Sequence, residues 1–235
     1  MQSLELPVIE TKQETPTVKS IKLENGNLSF KPGQYMMVDM QTGDEESIHP
    51  LSIASSPTEN NLRIGIKFYP DGSTFKKRMV ELKPGESIIG SRLAGEFVLP
   101  KDQKEKLVFL AGGIGVTPFR SMIKFLLDRE EKRDISFFFA NKTVDDIVYK
   151  DIFDAAEKNL GIKIIHAVEK LEKEGGNMKP GRLNKETIIK EVPDYKERTF
   201  YISGPPGMIF AFEDILRELG IPKTQIKTDF FPGYA

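Results

Sequence analysis

Residues 107–119 read LVFLAGGIGVTPF, and this stretch decides the fold of the second half of the chain. It opens with an apolar run that is too short for a helix, which is typical of a strand buried in a parallel sheet. Glycines follow, where a backbone without Cβ can turn tightly or let a ligand approach. Thr117 is then suited to cap a helix and Pro118 to begin one. A strand, a glycine turn and a helix start in this order predict a helix N-terminus aimed at a phosphate.

The composition describes a globular protein and argues against several classes of function. The 235 residues carry a net charge of −1, no cysteine, and the two histidines His49 and His166. The small net charge gives no electrostatic case for nucleic acid. No apolar run reaches the roughly 20 residues that span a bilayer, so we expect no membrane span and a cytoplasmic location. We also expect no metal site and no fused ferredoxin module, because the ligands for a zinc ion or an iron–sulfur cluster are lacking. Redox chemistry would then use an organic cofactor or a partner's metal centre.

The pattern of predicted secondary structure changes near residue 102. Before it, short alternating runs are separated by turns such as Lys31–Gly33 and Lys83–Gly85, which favours an antiparallel barrel with one helix at Phe75–Leu82. After it, buried strand candidates alternate with helical stretches, which is typical of a parallel α/β sheet. We therefore predict an antiparallel β-barrel domain (residues 1–102) followed by a Rossmann-like α/β nucleotide-binding domain with a parallel sheet (residues 103–235). The expected strands of the second domain are 107–111, 135–140, 162–167, 200–203 and 226–230, its expected helices are 118–131, 149–159, 185–190 and 208–219, and residues 169–180 are expected to form a surface loop.

A second strand, turn and helix start follow later in the chain. Residues 200–208 read FYISGPPGM, a strand that runs into a Gly/Pro turn. Two such turns place two helix N-termini at the carboxyl edge of one sheet, where open α/β sheets bind ligands. The first turn, Gly112–Pro118, is not a P-loop, because no Gly-Lys-Ser/Thr follows it. Together the turns predict a dinucleotide site without identifying its ligand.

The stretch His49–Pro57 narrows this prediction, because it resembles a barrel-domain motif of the ferredoxin–NADP reductase (FNR-type) flavoproteins, written Arg-x-Tyr-Ser/Thr. Further motifs follow in the family's order over nearly the whole chain: Gly72–Thr74, Gly90–Leu99, Gly112–Pro118, Ser203–Met208 and Asp229–Tyr234. The resemblance implies a flavin-binding barrel followed by a nicotinamide-binding domain. It also implies an NAD(P)H-dependent oxidoreductase that passes hydride to FAD and electrons to a separate acceptor, such as ferredoxin, flavodoxin or a small molecule.

The resemblance further implies roles for individual residues. The catalytic candidates are Ser52, whose hydroxyl would meet flavin N5, Ser203, beside the nicotinamide, and Asp229, near the C-terminus. The remaining candidates for binding the flavin are His49, Pro50, Leu51, Ile66, Lys67, Phe68, Gly72, Ser73, Thr74 and Tyr234, the last of which would cover the flavin ring. The candidates for binding the nicotinamide cofactor are Gly112, Gly113, Gly115, Thr117, Pro118, Asn141, Lys142, Gly204, Pro205, Pro206 and Met208, with Thr117 where the two cofactors meet.

The chain departs from the family's pattern at three of these positions. His49 replaces an arginine that grips the flavin phosphate, so a permanent charge and a two-pronged donor are lost. Leu51 replaces a tyrosine that stacks on the flavin, and Ser203 replaces a cysteine that many relatives place beside the nicotinamide. We expect these changes to alter flavin affinity, redox potential and rate. Because of these changes, the alternative of a module that binds a nucleotide without catalytic turnover also stays open.

Several choices stay open from the sequence. No acid directly ends the strand at 135–140 and Lys142 could meet a 2′-phosphate, yet there is no arginine cluster, and the pattern Asn141–Ile147 also resembles NADH-using relatives. This balance slightly favours NADH over NADPH. FMN in place of FAD also stays open. An alternative to a stand-alone reductase is a flavin-bearing electron-transfer subunit that works inside a larger complex.

Overall fold

The structure is a computed structural model that describes residues 3–41, 47–173 and 175–229. The chain packs as two units. The barrel unit contains the residues up to Leu99 together with Thr117–Phe125, and the sheet unit contains Pro100–Val116 and the residues from Leu126 onward. The domain ranges 1–102 and 103–235 stay a prediction.

The barrel unit is built on an antiparallel sheet. Its strands are β1 (Leu4–Thr15), β2 (Val18–Glu24), β3 (Tyr35–Asp39), β4 (Ile48–Ser52), β5 (Asn61–Lys67) and β6 (Ser87–Ala94), in the order β4-β3-β6-β1-β2-β5. The two edges of this sheet meet, because Ile53, just after β4, forms an antiparallel bridge with Ile64 of β5. The sheet therefore closes on itself, and the predicted β-barrel is confirmed.

Helix α1 (Thr74–Glu81) lies on the barrel where the sequence places its one helix. The helix buries Phe75 and Met79 in the barrel core, among the inward-facing apolar side chains of the strands. Ser73 caps its N-terminus, because the Ser73 hydroxyl accepts a hydrogen bond of 3.3 Å from the Lys76 amide. Burial of two side chains on one face and a side-chain cap explain why so short a segment is helical.

The sheet unit has a parallel sheet, as the alternation of strands and helices predicts. Its strands are β7 (Leu107–Gly112), β8 (Ile135–Asn141), β9 (Lys163–Val168), β10 (Met178–Pro180), β11 (Thr199–Ser203) and β12 (Ile226–Asp229), in the order β10-β9-β8-β7-β11-β12. The helices that follow the barrel in the sequence are α2 (Thr117–Asp128), α3 (Lys150–Leu160), α4 (Lys185–Glu191) and α5 (Pro206–Glu218). The strands of the centre read as continuous apolar runs because both faces of the sheet are covered.

Two local predictions are wrong. The expected loop at 169–180 contains the edge strand β10, whose three residues pair with the end of β9. The helical backbone after β7 begins at Gly113, as a 3-10 turn over Gly113–Val116, and Thr117 is already the first residue of α2. Thr117 is therefore not the cap that separates a strand from a helix. The predicted helix–sheet order is otherwise retained.

An aromatic layer packs one face of the parallel sheet. Phe137 lies edge-on to Phe109 and Phe153, with ring centroids 6.1 Å and 5.2 Å apart, and Phe109 lies edge-on to Tyr201 at 5.6 Å. Phe153 belongs to α3, so this layer attaches the helix to the sheet. Among the helices of the described ranges, none has the length and apolar character required to cross a membrane.

Candidate functional site

In the barrel unit, strand β4 brings His49 to the start of α1. The imidazole ring lies 4.1 Å, centroid to centroid, from the ring of Phe75, the second residue of the helix. The first N–H groups of a helix have no acceptor within the helix, and the helix dipole makes this end positive. His49, Ser73 and Thr74 therefore lie together around a positive helix end. This donor set suits a phosphate group, which is the role that the sequence predicts for it.

The register of β4 places His49 and Leu51 on the core side of the barrel, because they pair with the buried Val38 and Met36 of β3. Leu51 is half-buried and packs against the barrel core, and Pro50, which lies between the two on the other face, is buried. Ser52 is half-buried at the end of the strand and pairs with Tyr35 of β3. Leu51 thus combines a core contact with a partly open surface, as an aliphatic support for a flavin ring requires.

The other predicted flavin-binding residues follow β5. Ile66 is buried, Lys67 ends the strand, and the Phe68 amide donates to the Thr17 carbonyl at 3.0 Å. Gly72 closes a tight turn, in which its amide donates to the Tyr69 carbonyl at 3.0 Å. The Phe68 amide is consequently committed to the barrel rather than available to a cofactor. Tyr234, predicted to cover the flavin ring, lies outside the described residues.

In the sheet unit, the order of the strands marks a crevice. The chain fills the sheet from β7 outward through β8 to one edge and then returns to β11 and β12 on the other side. The loops after β7 and β11 therefore diverge at neighbouring carboxyl ends, which is a topological switch point. Open α/β sheets bind ligands at such points. Both predicted glycine turns are there.

The two glycine turns pack against each other backbone to backbone. A Cβ on Gly115 would lie 2.5 Å from both the Gly204 nitrogen and the Ser203 carbonyl oxygen, and a Cβ on Gly112 would lie 2.2 Å from the Met208 sulfur. Gly113 has φ +51°, in the left-handed region. Sequence reasoning expects these glycines to make room for a ligand. The structure shows a second need, since Gly112 and Gly115 make room for the neighbouring loop.

Helix α5 begins within the second turn. Pro205 precedes the helix and Pro206 is its first residue. The N–H of a first helical residue has no acceptor within the helix, so proline loses no hydrogen bond at this position. The Met208 amide donates to the Pro205 carbonyl at 2.9 Å. Gly204, Pro205, Pro206 and Met208 thus lie in one compact turn beside Gly112, as expected for residues lining one pocket.

Ser203 and Asp229 are brought together by strand register. They pair as the last residues of β11 and β12, and the Ser203 hydroxyl donates to a carboxylate oxygen of Asp229 at 3.3 Å. Ser203 is 3% exposed. Because the serine proton is directed at the carboxylate, the Ser203 oxygen is left to accept a hydrogen bond from another group.

Asn141 ends β8 and carries an unsatisfied amide. The residue is 6% exposed, and among the described residues neither its amide nitrogen nor its amide oxygen finds a hydrogen-bond partner. Its side chain lies on the same face of the sheet as Ser203, because Phe139, two residues earlier, pairs with Ala111, which pairs with Ser203. An unpaired buried amide costs about 1–3 kcal/mol, so its presence at a carboxyl edge fits a ligand that supplies the missing partners. Lys142, the next residue, is exposed.

His166 lies outside this arrangement, as the sequence predicts for a packed histidine. The ring is fully buried on β9, 5.9 Å from the ring of Phe139. Burial, with a smaller contribution from the charge of Lys150, lowers the pKa of His166 to about 4. The ring is therefore neutral near pH 7 and has a packing role.

Sequence reasoning missed Arg120 and Ser121, which lie in the first turns of α2. Both are buried, at 5% and 0% exposure, and both belong to the barrel unit. The helical pattern gives no signal for them, because both fall outside the apolar face that Phe119, Met122 and Ile123 form, where polar side chains are ordinarily exposed. Their burial is a finding of the structure, and a buried arginine is rare unless it is paired.

Comparisons with known proteins identify the family. A model of the FAD-binding domain family matches residues 4–117, and a model of the oxidoreductase NAD-binding domain family matches residues 109–214. The chain belongs to the FNR-type flavoproteins. The predictions of this family, of its two-domain fold, and of FAD and a nicotinamide dinucleotide as the cofactors are confirmed.

The relatives of this FNR-type flavoprotein are named for different functions. The chain is 26% identical over 235 residues to a flavohemoprotein of Oceanobacillus iheyensis, covering 95% of this chain and 58% of that protein. It is 26% identical over 206 residues to the glycine betaine monooxygenase reductase subunit of Chromohalobacter salexigens, covering 86% of this chain and 56% of that protein. The chain thus spans somewhat under two thirds of the length of these relatives.

A solved structure supports the fold of the whole chain. The ferredoxin–NADP⁺ reductase of Neisseria gonorrhoeae, solved with bound FAD and NADP, superposes with a TM-score of 0.80 at 16% identity. The match covers 97% of this chain and 98% of that protein. At this identity the likeness establishes the fold, and the roles of single residues stay predictions.

Proposed function

We propose that this FNR-type flavoprotein oxidises NAD(P)H and delivers the electrons, through FAD, to a separate acceptor. The observation that carries the proposal is that one chain contains a barrel matched by an FAD-binding family and a parallel sheet matched by an NAD-binding family. Bound FAD supplies a group that takes up a hydride and releases electrons. The protein supplies binding, orientation and electrostatics.

The sheet unit would hold the nicotinamide cofactor at the switch point between β7 and β11. The 3-10 turn Gly113–Val116 offers backbone N–H groups to a pyrophosphate. The amide of Asn141 would gain from the cofactor the partners that it lacks. The Ser203 oxygen, its proton directed at Asp229, would accept a hydrogen bond from the carboxamide of the nicotinamide.

The barrel unit would hold the FAD through β4 and α1. His49 and the α1 N-terminus suit the phosphates, and Leu51 would support the flavin ring. The Ser52 hydroxyl is the group that we assign to flavin N5. With His49 in place of an arginine, we expect the flavin to be held less tightly than an arginine would hold it.

The proposal names the acceptor by class. A ferredoxin, a flavodoxin, a small molecule and an oxygenase component can all take electrons from a flavin, and a relative is named as the reductase subunit of a monooxygenase. That relative favours a second candidate function, a flavin-bearing electron-transfer subunit that turns over only with its partner. The cytoplasmic location expected from the sequence is part of the proposal.

Anaerobic reduction of the purified protein tests the proposal. The protein is loaded with FAD, and NADH or NADPH is added while the visible flavin absorbance is followed. Bleaching by one nucleotide supports the reductase and identifies its coenzyme. Retention of FAD without bleaching, unless a partner protein is added, favours the electron-transfer subunit. A protein that does not take up FAD refutes both the reductase and the electron-transfer subunit. The remaining alternative is then a module that binds a nucleotide without turnover.

Replacement of Ser52 tests its role within the same assay. We expect Ser52→Ala to slow flavin bleaching about tenfold to a hundredfold without loss of FAD, because a misplaced reacting atom costs rates of this order. Ser136→Ala is the matched control, since Ser136 is a buried strand serine (5% exposed) in the sheet unit. Equal rates for Ser52→Ala and Ser136→Ala contradict the role assigned to Ser52.

A further inference from the structure

Arg120 holds the chain that follows Ser52. One terminal guanidinium nitrogen of Arg120, Nη1, donates to the Ala54 carbonyl at 2.7 Å and to a carboxylate oxygen of Glu59 at 2.8 Å. The other, Nη2, donates to the second carboxylate oxygen of Glu59 at 3.2 Å. All of these residues belong to the barrel unit. A single buried side chain therefore connects α2 to both ends of the segment Ala54–Glu59.

Ser121, the residue after Arg120, binds the same segment through a second hydrogen bond. The Ser121 hydroxyl donates to the Ser55 carbonyl at 2.6 Å, in a position with no exposure to solvent. Two consecutive residues of α2 thus bind two consecutive carbonyls, those of Ala54 and Ser55. The sequence separation is 66 residues in both cases, so only the folded barrel unit forms these bonds.

The segment is fixed from its other side as well. The Ala54 amide donates to the Arg63 carbonyl at 2.7 Å, and the Ser55 hydroxyl accepts from the Arg63 amide at 2.9 Å. The Ser56 amide donates to Glu59 at 2.7 Å. Both the N–H and the C=O of Ala54 are therefore held, and a single residue, Ile53, separates Ala54 from Ser52. The segment that leaves Ser52 therefore has little freedom.

The charges of this arrangement are compensated. Burial of the Glu59 carboxyl opposes its ionisation, but the hydrogen bonds and charge of Arg120 and the Ser56 amide outweigh burial, so the pKa of Glu59 is lowered. Buried ion pairs are seldom more stabilising than apolar residues of similar volume. What a planar guanidinium adds is direction, since its donors are fixed in one fork. Stability alone thus does not account for an arginine at this position.

We propose that Arg120, assisted by Ser121, is a positioning residue that fixes the Ser52 hydroxyl for its contact with the flavin by holding the Ala54 and Ser55 carbonyls. The assignment rests on the proposed function. It places the control of the flavin contact on α2, outside the strand that carries Ser52.

The test begins with the protein without FAD. Backbone hydrogen exchange is measured for the peptide 53–59 in the wild type, in Arg120→Lys and in Ser121→Ala. A lysine retains the charge but offers no fork, so we expect exchange in this peptide to rise about tenfold in Arg120→Lys and by a smaller factor in Ser121→Ala. The control is Arg133→Lys. The side chains of Arg120 and Arg133 are equally exposed, at 6% each, and Arg133 likewise binds one carboxylate and one backbone carbonyl, in the sheet unit.

The second part uses the protein loaded with FAD. We expect Arg120→Lys to retain FAD and to slow flavin bleaching about tenfold. The double variant Arg120→Lys/Ser52→Ala should be no slower than Ser52→Ala alone, because both changes remove the same contact, that of the Ser52 hydroxyl with the flavin. The circular dichroism of the bound flavin in Arg120→Lys should shift in the direction seen for Ser52→Ala. Arg133→Lys should match the wild type in every one of these measurements.

Three results overturn the proposal. Unchanged exchange in the peptide 53–59 shows that the segment does not need Arg120. Rate losses that multiply in the combined variant show that Arg120 acts independently of Ser52. Loss of FAD to the same extent in Arg120→Lys and Arg133→Lys shows general destabilisation, and the test then moves to Ser121→Ala. A wild-type flavin circular dichroism spectrum in Ser121→Ala overturns the proposal in that case. A wild type that binds FAD without bleaching refutes the proposed function alone, because exchange and circular dichroism do not depend on turnover.

Discussion

Replacement of Gly115 by alanine is expected to separate the two loops of the nicotinamide half of the site. The new Cβ would lie 2.5 Å from the Gly204 nitrogen and from the Ser203 carbonyl oxygen, whereas ordinary contacts begin at 3.4 Å. The shortfall is about 0.9 Å, and the opposing atoms are backbone atoms at the end of β11 that cannot rotate away. The loops must therefore move apart.

The magnitude follows from the cost of overpacking. Forcing one extra carbon into a packed site costs about 1–3 kcal/mol, and contact with backbone on two sides leads us to expect a loss of at least about 2 kcal/mol for Gly115→Ala. A loss of about 2 kcal/mol lowers the unfolding temperature of a unit of this size by roughly 6–12 °C. A displacement of the Ser203 end of β11 should also weaken the binding of NAD(P)H.

The assay compares Gly115→Ala with Gly207→Ala. Gly207 lies in the first turn of α5, and a Cβ there meets nothing within 4 Å. Alanine at this helical position should leave stability unchanged or raise it by up to about 1 kcal/mol. Thermal unfolding and NAD(P)H titration are measured for both variants, with FAD content as a check on the barrel unit. Wild-type stability and nucleotide affinity in Gly115→Ala would refute the close packing of the two loops.

Three further changes test other parts of the molecule. Asn141→Leu should raise the free energy of unfolding of the nucleotide-free protein by about 1 kcal/mol, because an unsatisfied buried amide is removed, and should weaken NAD(P)H binding about tenfold; a variant that is less stable and binds normally contradicts the assignment. His166→Phe should remove part of the acid sensitivity of folding, because burial holds the pKa of His166 at about 4 in the folded state, below the ordinary histidine pKa of 6.5. The stability contributed by the neutral ring is therefore present above pH 6.5 and is lost, by up to about 3 kcal/mol, as the pH falls toward 4. Unfolding by denaturant at pH 7 and pH 4.5 measures this difference, and an equal acid loss in wild type and variant would show that other groups cause it. His49→Arg should tighten FAD binding about tenfold by adding a permanent charge at the α1 N-terminus, as measured by equilibrium dialysis, and weaker binding would mean that the phosphate lies elsewhere.

The sequence predicted most of the fold because its signals are local. The apolar run that begins at Leu107 and the Gly/Pro turn at residues 204–206 are each recognised from a few neighbouring residues. Strand β10 was missed because Met178–Pro180 is short, polar and ends in proline, so nothing in its own sequence distinguishes it from a loop. Its pairing with β9 arises from the tertiary structure alone.

The features of the candidate site also separate into those that the local sequence reveals and those that only the tertiary structure creates. The turns at Gly112 and Gly204 could be found from the sequence, but their contact with each other could not, since 92 residues separate the two positions along the chain. The Ser203–Asp229 hydrogen bond depends on the register of β11 and β12. The contacts of Arg120 depend on the closure of the barrel around residues 53–64. Long-range geometry of this kind leaves no periodic pattern in a single sequence.

The division of α2 between the two units has a consequence for the order of folding during synthesis. The barrel strands are complete once Leu99 has been made, yet Arg120 and Ser121, which bind the carbonyls after Ser52, come later in the chain. A nascent chain that ends at Leu99 lacks the guanidinium and the hydroxyl that bind the Glu59 carboxylate and the carbonyls of Ala54 and Ser55. The barrel unit therefore gains its final set of hydrogen bonds only after β7, the glycine turn and the first part of α2 have also emerged from the ribosome.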